Sequence, residues 1–298
     1  MTRRLVSAAA ALVVGLALLV SPHLGVERPY RSPEPLPSYP PGANVLLAVG
    51  DVGTCQDNND EAVAALAARL PGSIALLGDV VYPDGGIGDY KSCFDPAWGP
   101  LRARLHPAQG NHDFEAANVS GYYDYFGAAA GTPGEGWYSY EVGSWHVVVL
   151  NSDCPSVGGC SEGSPQLAWL QADLQAHPAA CTLAYWHHPR YSSGQHGDGA
   201  RTEAFWQALA AAGADLVLSG HDHDYERLAP IDGIRSFVVG TGGHSLIPFT
   251  RPQDTQTELR ADDSYGLLAL DLLDGAYRWQ FVPIPGDELH DSGTAQCH

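Results

Sequence analysis

The run Val45-Leu46-Leu47-Ala48-Val49 leads straight into Gly50-Asp51-Val52-Gly53, and Ile74-Ala75-Leu76-Leu77 leads into Gly78-Asp79-Val80-Val81-Tyr82. Each is a short apolar stretch bounded by glycine, which reads as a β-strand that stops on a carboxylate. The pattern recurs further on. Leu105 leads through Pro107 into Gly110-Asn111-His112-Asp113, Cys181 to Trp186 ends at His187-His188-Pro189, and Leu216 to Leu218 ends at Gly220-His221-Asp222-His223. In an open α/β sheet the carboxyl ends of the strands line the crevice where ligands bind. Five ends spread over most of the chain can therefore converge, bringing carboxylates, an amide oxygen, a phenol and imidazoles around one point. Such a donor set is a metal site.

The segments between these ends set the fold. Asn59 to Leu70 carries Ala, Val and Leu at helical spacing until Pro71-Gly72 stops it. The strand after it, Ser73 to Leu77, is expected to lie parallel to the first. Trp137 to Val142 and Trp145 to Leu150 flank Gly143-Ser144 as a hairpin. Helices are expected over Ser164 to Gln175 and Ala200 to Ala212, and a glycine-rich loop over Gly85 to Tyr90. Late antiparallel strands are expected over Ile234 to Val239, Leu267 to Leu272 and Tyr277 to Val282. Phe114 to Gly136 and Ser245 to Asp262 read as loops. No solenoid repeat is present. Strand-helix alternation followed by hairpins predicts an α/β fold of two mixed β-sheets packed face to face with helices outside, a four-layer α/β/β/α sandwich.

At 298 residues with 45% hydrophobic content, the chain can bury the core of one large domain. The interlocking strand ends favour a single catalytic domain over 43–298. Thr2-Arg3-Arg4 followed by the uncharged run Leu5 to Val20 has the basic start and apolar middle of an export signal over 1–25, with a loose likeness to a twin-arginine leader. The run is shorter than the roughly 20 residues of a comfortable membrane span. No clean small-x-small cleavage site follows, so a cleaved signal and an uncleaved N-terminal membrane anchor both fit. Glu27 to Pro41 is proline-rich and reads as an extended linker over 26–42.

Six cysteines without a Cys-x-x-Cys pair point to an oxidising, extracytoplasmic compartment and away from a zinc ribbon. Cys154 and Cys160, which bracket a short flexible loop, are expected to pair, and the other pairings stay open. Fifteen basic against 34 acidic side chains give a net charge of −19, which excludes nucleic acid or an anionic membrane surface as the main partner. A small phosphorylated substrate remains compatible, and the oligomeric state is undetermined.

A lone Gly-Asp is usually a turn. Two of them after apolar strands differ, because a carboxylate in a poorly solvated crevice needs a partner and a cation provides one. In the loop holding His221 and His223, alternation can send the two rings to different ions. Asn111 is a neutral oxygen donor, suited to a harder ion than zinc alone. Tyr82 discriminates most sharply. A phenol with an ordinary pKa of about 10 becomes a ligand only to a strongly Lewis-acidic ion such as ferric iron.

Taken in order from Asp51 to His244, these motifs resemble those of the purple acid phosphatase branch of the calcineurin-like metallophosphoesterases. The resemblance implies the metallophosphoesterase fold and a dinuclear metal centre as the only cofactor. Asp51, Tyr82 and His223 would hold Fe(III), while Asn111, His187 and His221 would hold a divalent Fe, Zn or Mn ion. Asp79 would bridge them. The His-x-Pro spacing to Pro189 selects His187 over His188. Two more histidines are implied as catalytic groups on the substrate phosphate: His112, which would also protonate the leaving oxygen, and His196. The implied activity is exported hydrolysis of phosphate monoesters by metal-activated hydroxide, with an acidic pH optimum. A phosphodiesterase or nucleotidase on the same scaffold is one alternative, and a secreted module that binds metal or phosphate without turnover is another. No role beyond nearness falls to His244, and Asn118-Val119-Ser120, which fits a glycosylation acceptor, is read as a plain loop.

Overall fold

Strand β1 (Val45–Val49) is apolar along its whole length because both of its faces are covered. On one face Leu46 and Ala48, with Ala75 and Leu77 of β2 (Ser73–Leu77), meet Trp145, Val147, Leu183, Leu216 and Phe237 of a second sheet. On the other face Val45, Leu47 and Val49 pack on Val63, Leu66 and Ala67 of the helix Asn59–Arg69. Beyond the second sheet, Val148, Ala184 and Val217 meet Leu167 and Leu170 of the helix Pro165–Ala176 and Phe205 and Leu209 of the helix Glu203–Ala211. Three apolar seams thus separate four layers, helix on sheet on sheet on helix.

A computed structural model describes residues 36–115 and 119–298. The segment expected to be an export signal or anchor, the first part of the expected linker and Asn118 lie outside the described residues. Among those described, Leu36 and Tyr39 of the linker pack on the outer core beside β1. No described helix is long and apolar enough to cross a membrane.

The remaining strands are β3 (Leu105–Ala108), β4 (Tyr138–Val142), β5 (Trp145–Val149), β6 (Cys181–Tyr185), β7 (Leu216–Ser219), β8 (Tyr225–Leu228), β9 (Arg235–Val239), β10 (Thr257–Ala261), β11 (Gly266–Leu273), β12 (Ala276–Pro283) and β13 (Ser292–Gln296). One sheet runs β13-β12-β11-β1-β2-β3 and the other β10-β8-β9-β7-β6-β5-β4. In the first, β1, β2 and β3 are parallel, and in the second β5, β6, β7 and β9 are parallel, so their carboxyl ends share an edge in each sheet. The two edges are tied where Gly50 N–H donates to the Val239 carbonyl at 2.8 Å. Pro107 is tolerated because β3 is an edge strand.

Four expectations are corrected. Residues 234–239 were expected as an antiparallel strand, but β9 is antiparallel only to β8 and runs parallel to β7, because the β8–β9 hairpin folds back into the sheet. Gly85 to Tyr90 was expected as a loop, but Ile87–Asp89 opens a run of helical turns reaching Arg104. Tyr90, Phe94 and Trp98, four residues apart, bury one side of that run, and Phe94 stacks on Trp98 with centroids 5.8 Å apart. That spacing was present in the sequence. Phe114 to Gly136 and Ser245 to Asp262 were expected as loops, but they contain the helix Ser120–Phe126 and strand β10, while strands β8 and β13 had no sequence reading.

Cys154 pairs with Cys160 as expected, and the open pairings resolve as Cys55–Cys93 and Cys181–Cys297. The last bond fastens β6 to the C-terminus across a separation of 116 residues, against 6 for Cys154–Cys160. A disulfide stabilises mainly by restricting the unfolded chain, and more so for a longer loop. Replacing Cys181 and Cys297 together by Ala is therefore expected to lower the unfolding free energy by about 2–4 kcal/mol. The loss should exceed that from removing Cys154 and Cys160, as read by urea denaturation of both variants.

Candidate metal centre

The backbone at the strand ends is unusual before any side chain is considered. Asp51, Asp79 and His221 have φ of 59°, 46° and 73°, the left-handed region that non-glycine residues rarely enter. Such conformations cost of order 1–3 kcal/mol each and persist only where the surroundings fix them. Here cross-strand bonds do so: Asp51 N–H donates to Gly78 O at 3.1 Å, Val52 N–H to Asp79 O at 3.0 Å, and Gly220 N–H to His187 O at 3.0 Å. The glycines that open these motifs answer to close approach. A Cβ on Gly110 would collide with the Asp79 carboxylate, and one on Gly220 would lie 2.6 Å from Asp51 Oδ2.

Each buried carboxylate gives one oxygen to the backbone and turns the other to the cluster. Asp51 Oδ2 accepts the His221 N–H at 2.8 Å, while Oδ1 lies 3.0 Å from the Tyr82 hydroxyl and 3.4 Å from His223 Nε2. Asp79 Oδ1 accepts the His112 N–H at 2.8 Å, and Oδ2 lies 3.1 Å from the Tyr82 hydroxyl and 3.1 Å from His187 Nε2. His221 Nδ1 is 3.2 Å from His187 Nε2, and Tyr82 is 3.2 Å from His223 Nε2. A carbonyl only accepts, so the 2.9 Å contacts from His187 Nδ1 to Leu77 O and from His223 Nδ1 to Ser245 O place a proton on each Nδ1. Both Nε2 lone pairs are left for a ligand, as in metal-bound histidines.

The donor set fits cations. Ligand atoms of Asp79, His187 and His221 all lie within 4.8 Å of one another. Asn111 adds a buried side-chain oxygen that has no hydrogen-bond partner in the protein, although buried carbonyls normally find one. The structure therefore brings Asp51, Asp79, Tyr82, His187, His221 and His223 into one cluster and leaves the Asn111 oxygen free for an ion.

Electrostatics point the same way. Burial opposes ionisation of Asp79, but the neighbouring His187 and His112 outweigh it and hold its carboxyl well below the usual range. His187 is opposed by burial yet lifted to about 9 by Asp79 and Asp51, and His221 is pushed down to about 3 by burial, His187 and His196. Burial, then the charges of Asp51 and Asp79, drive the Tyr82 phenol well above its ordinary value. Only a cation strong enough to offset both effects could make it a phenolate. The His188 ring packs 4.3 Å from that of His221, but its Nδ1 is 2.9 Å from Ser152 Oγ, and burial keeps it neutral.

His112 and His196 flank the cluster. The His112 ring lies 4.5 Å from that of Tyr82, and its Nδ1 donates to Pro83 O at 2.7 Å. The His196 ring lies 4.2 Å from that of His221, and Asp222 Oδ1 accepts from its backbone N–H at 2.7 Å and from its Nδ1 at 2.9 Å. Sequence reasoning quoted Asp222 but gave it no task, although an acid between two candidate ligands was a signal. It also passed over Asp113, a buried carboxylate that accepts from the N–H of Gly110 and Val80 and from Tyr90. Burial and Asp79 raise Asp113 to about 7. The His244 ring lies against that of Tyr82 with centroids 3.9 Å apart and planes tilted by 31°.

A sequence profile of the calcineurin-like phosphoesterase family matches residues 45–225, which carry every residue of this cluster. The chain belongs to that family. This phosphoesterase-family chain is 28% identical over 253 residues to purple acid phosphatase 15 of Arabidopsis thaliana, covering 70% of this chain and 46% of that protein. The structure of purple acid phosphatase PPD1 from yellow lupin seeds superposes with a TM-score of 0.69 at 18% identity, covering 85% of this chain and 53% of that one. GAP50, the anchor in the inner membrane complex of Plasmodium, superposes with a TM-score of 0.66 at 16% identity, covering 85% and 89%. The two superpositions establish the shared fold of paired sheets flanked by helices. The chain spans about half the length, or less, of the curated relatives it matches.

Because Gly110 lies against Asp79, Gly110→Ala should displace that carboxylate and weaken metal retention. A loss of about 10–100-fold in metal affinity is the size expected when the support of a ligand is disturbed. Equilibrium dialysis with elemental analysis reads it directly.

Proposed function

We propose that this chain is a dinuclear metal-dependent phosphatase that hydrolyses phosphate monoesters with an acidic pH optimum, in the manner of purple acid phosphatases. One observation carries the reading: Asp79 Oδ2 is 3.1 Å from both the Tyr82 hydroxyl and His187 Nε2, so one carboxylate oxygen serves two sets of donors. Asp51, Tyr82 and His223 would hold Fe(III). Asn111, His187 and His221 would hold divalent Fe, Zn or Mn, with Asp79 between the two. When bound, such a pair of cations lowers the pKa of water and neutralises phosphate charge.

The chain's own residues supply the rest. His112, fixed through Nδ1 by Pro83 O, has Nε2 free to protonate the leaving oxygen. His196, fixed through Nδ1 by Asp222, has Nε2 free to donate to a phosphate oxygen. Burial of His187 and Asp79 keeps water from screening the charge at this point.

Three disulfides with no free cysteine among the described residues, together with the basic and apolar N-terminal segment, support export to an extracytoplasmic location, with the catalytic domain at 43–298. The substrate would be small, and a nucleic-acid partner is disfavoured by the net charge of −19.

Purified protein is expected to contain iron and to show a visible absorption band from a ferric phenolate, which Tyr82→Phe removes. Assays from acid to alkaline pH should show greater turnover of a chromogenic monoester than of a diester, highest on the acid side. His112→Ala should lower kcat by about 10²–10⁴. A colourless protein without transition metal and without esterase activity would overturn the reading, and a preference for the diester would replace it with a phosphodiesterase.

A further inference from the structure

The candidate metal centre lies at the carboxyl ends of the parallel strands, and a second gathering of ligating side chains lies at the other end of β5. Alternation turns His146 and Val148 to the same side, toward the helix Pro165–Ala176. Val148 meets Leu167 and Leu170 there, but His146 meets Asp173, so the apolar seam ends in a polar pair. His177 stands one helical turn beyond Asp173, and Glu141 of β4 is the cross-strand partner of His146. His146 is 1% exposed and Asp173 is buried, whereas His177 and Glu141 reach solvent.

Both ring nitrogens of His146 face a carboxylate: Nδ1 is 2.7 Å from Glu141 Oε1, and Nε2 is 2.8 Å from Asp173 Oδ2. A neutral imidazole has one N–H, so its other nitrogen meets the facing oxygen across a second proton or a metal ion. No lysine or arginine among the described residues pairs with either acid. Ligand atoms of His146, Asp173 and His177 all lie within 4.8 Å of one another, as do those of Asp79, His187 and His221. The ring centroids of His146 and His177 are 4.9 Å apart, the same separation as those of His187 and His221. His177 Nδ1 lies 3.2 Å from Asp173 Oδ1 and 3.0 Å from Asp173 O. That carbonyl also accepts the His177 backbone N–H at 3.0 Å, so it keeps a partner when Nδ1 gives up its proton to bind an ion.

We propose that His146, Asp173 and His177 form a further metal site, for zinc, which clips the hairpin of β4 and β5 to the C-terminal end of the helix Pro165–Ala176. Two imidazoles and a carboxylate suit zinc, whose tetrahedral ligands at about 2.0–2.2 Å stand roughly 3.3–3.6 Å from one another. The spacings of 2.8 and 3.2 Å around the Asp173 carboxylate open to that with small side-chain movements. Glu141 accepts from Nδ1–H of His146, which fixes the ring and leaves Nε2 for the ion, as carboxylates beside metal-bound histidines do. Ser139 Oγ donates to Asp173 Oδ1 at 2.8 Å and orients the carboxylate. One dication balances the charges of Asp173 and Glu141. A groove of about 520 Å³ with His177 on its wall gives the ion a way in and supplies water for the fourth position. The site is independent of the phosphatase reading.

The test is binding of zinc ion to the purified, metal-loaded protein, read by calorimetry and by elemental analysis after dialysis. Wild type should retain one more zinc per chain than His177→Ala, and whatever the centre at Asp51 and Asp79 holds is common to both and cancels. Glu141→Ala keeps the three ligands but should bind this ion about 10–100-fold more weakly. Both substituted side chains reach solvent, so the variants should fold. Zinc should also raise the melting temperature of wild type by more than that of His177→Ala. Equal zinc content in wild type and His177→Ala would overturn the site and leave His146 as an imidazolium held between two acids. An affinity unchanged in Glu141→Ala would overturn it as well, because the ion would then lie elsewhere.

Discussion

Two carboxylates, Asp51 and Asp79, are buried where the edges of two sheets meet, and neither has a lysine or arginine partner among the described residues. The rest of the molecule is arranged around that constraint. Buried charge is tolerated only when it is paired and hydrogen-bonded. Here one oxygen of each group is tied to a backbone N–H and the other faces Tyr82 and an imidazole, an arrangement completed by a cation. The positive φ at both residues and the glycines packed on them follow from holding charge at this depth.

The four layers make such a site possible. Apolar seams on both sides of β1 and β2 fix these strands, and a fixed strand end can support a strained residue that a free loop would relax. The parallel ends of β6 and β7 do the same for His187 and His221 in the second sheet. Because the two sheets face each other, ligands distant in sequence become neighbours at one edge. The backbone contact between Gly50 and Val239 sits at that junction.

A second ring of residues holds those around the ligand cluster. Asp222 fixes His196, Asp113 holds the Gly110 turn, and His188 supports Arg201. Glu226, also buried, accepts from Ser192, Ser193 and the N–H of Gly194, and so anchors the loop that carries His196. A site placed on loops gains its accuracy from such supports, since the loop backbone alone has little to hold it.

The sequence by itself determined the paired-sheet fold and the chemical type of the site. Unbroken runs such as Val45 to Val49 can only be strands covered on both sides, and the Gly-Asp, Gly-Asn-His and Gly-His-x-His endings declare a ligand at each strand end. Local pattern sufficed because burial on two faces removes polar residues from a strand whatever its neighbours are. The turns at Tyr90, Phe94 and Trp98 were also legible by spacing, but the flanking glycines masked them. What only tertiary structure decided was partnership across long separations: the parallel placement of β9, the joining of Cys181 to Cys297, and the tasks of Asp222, Asp113 and His188. A carboxylate or imidazole does not encode its neighbour in its own segment. Its hydrogen-bond partner is fixed when two sheets close on each other, and that closure depends on the packing of the whole chain.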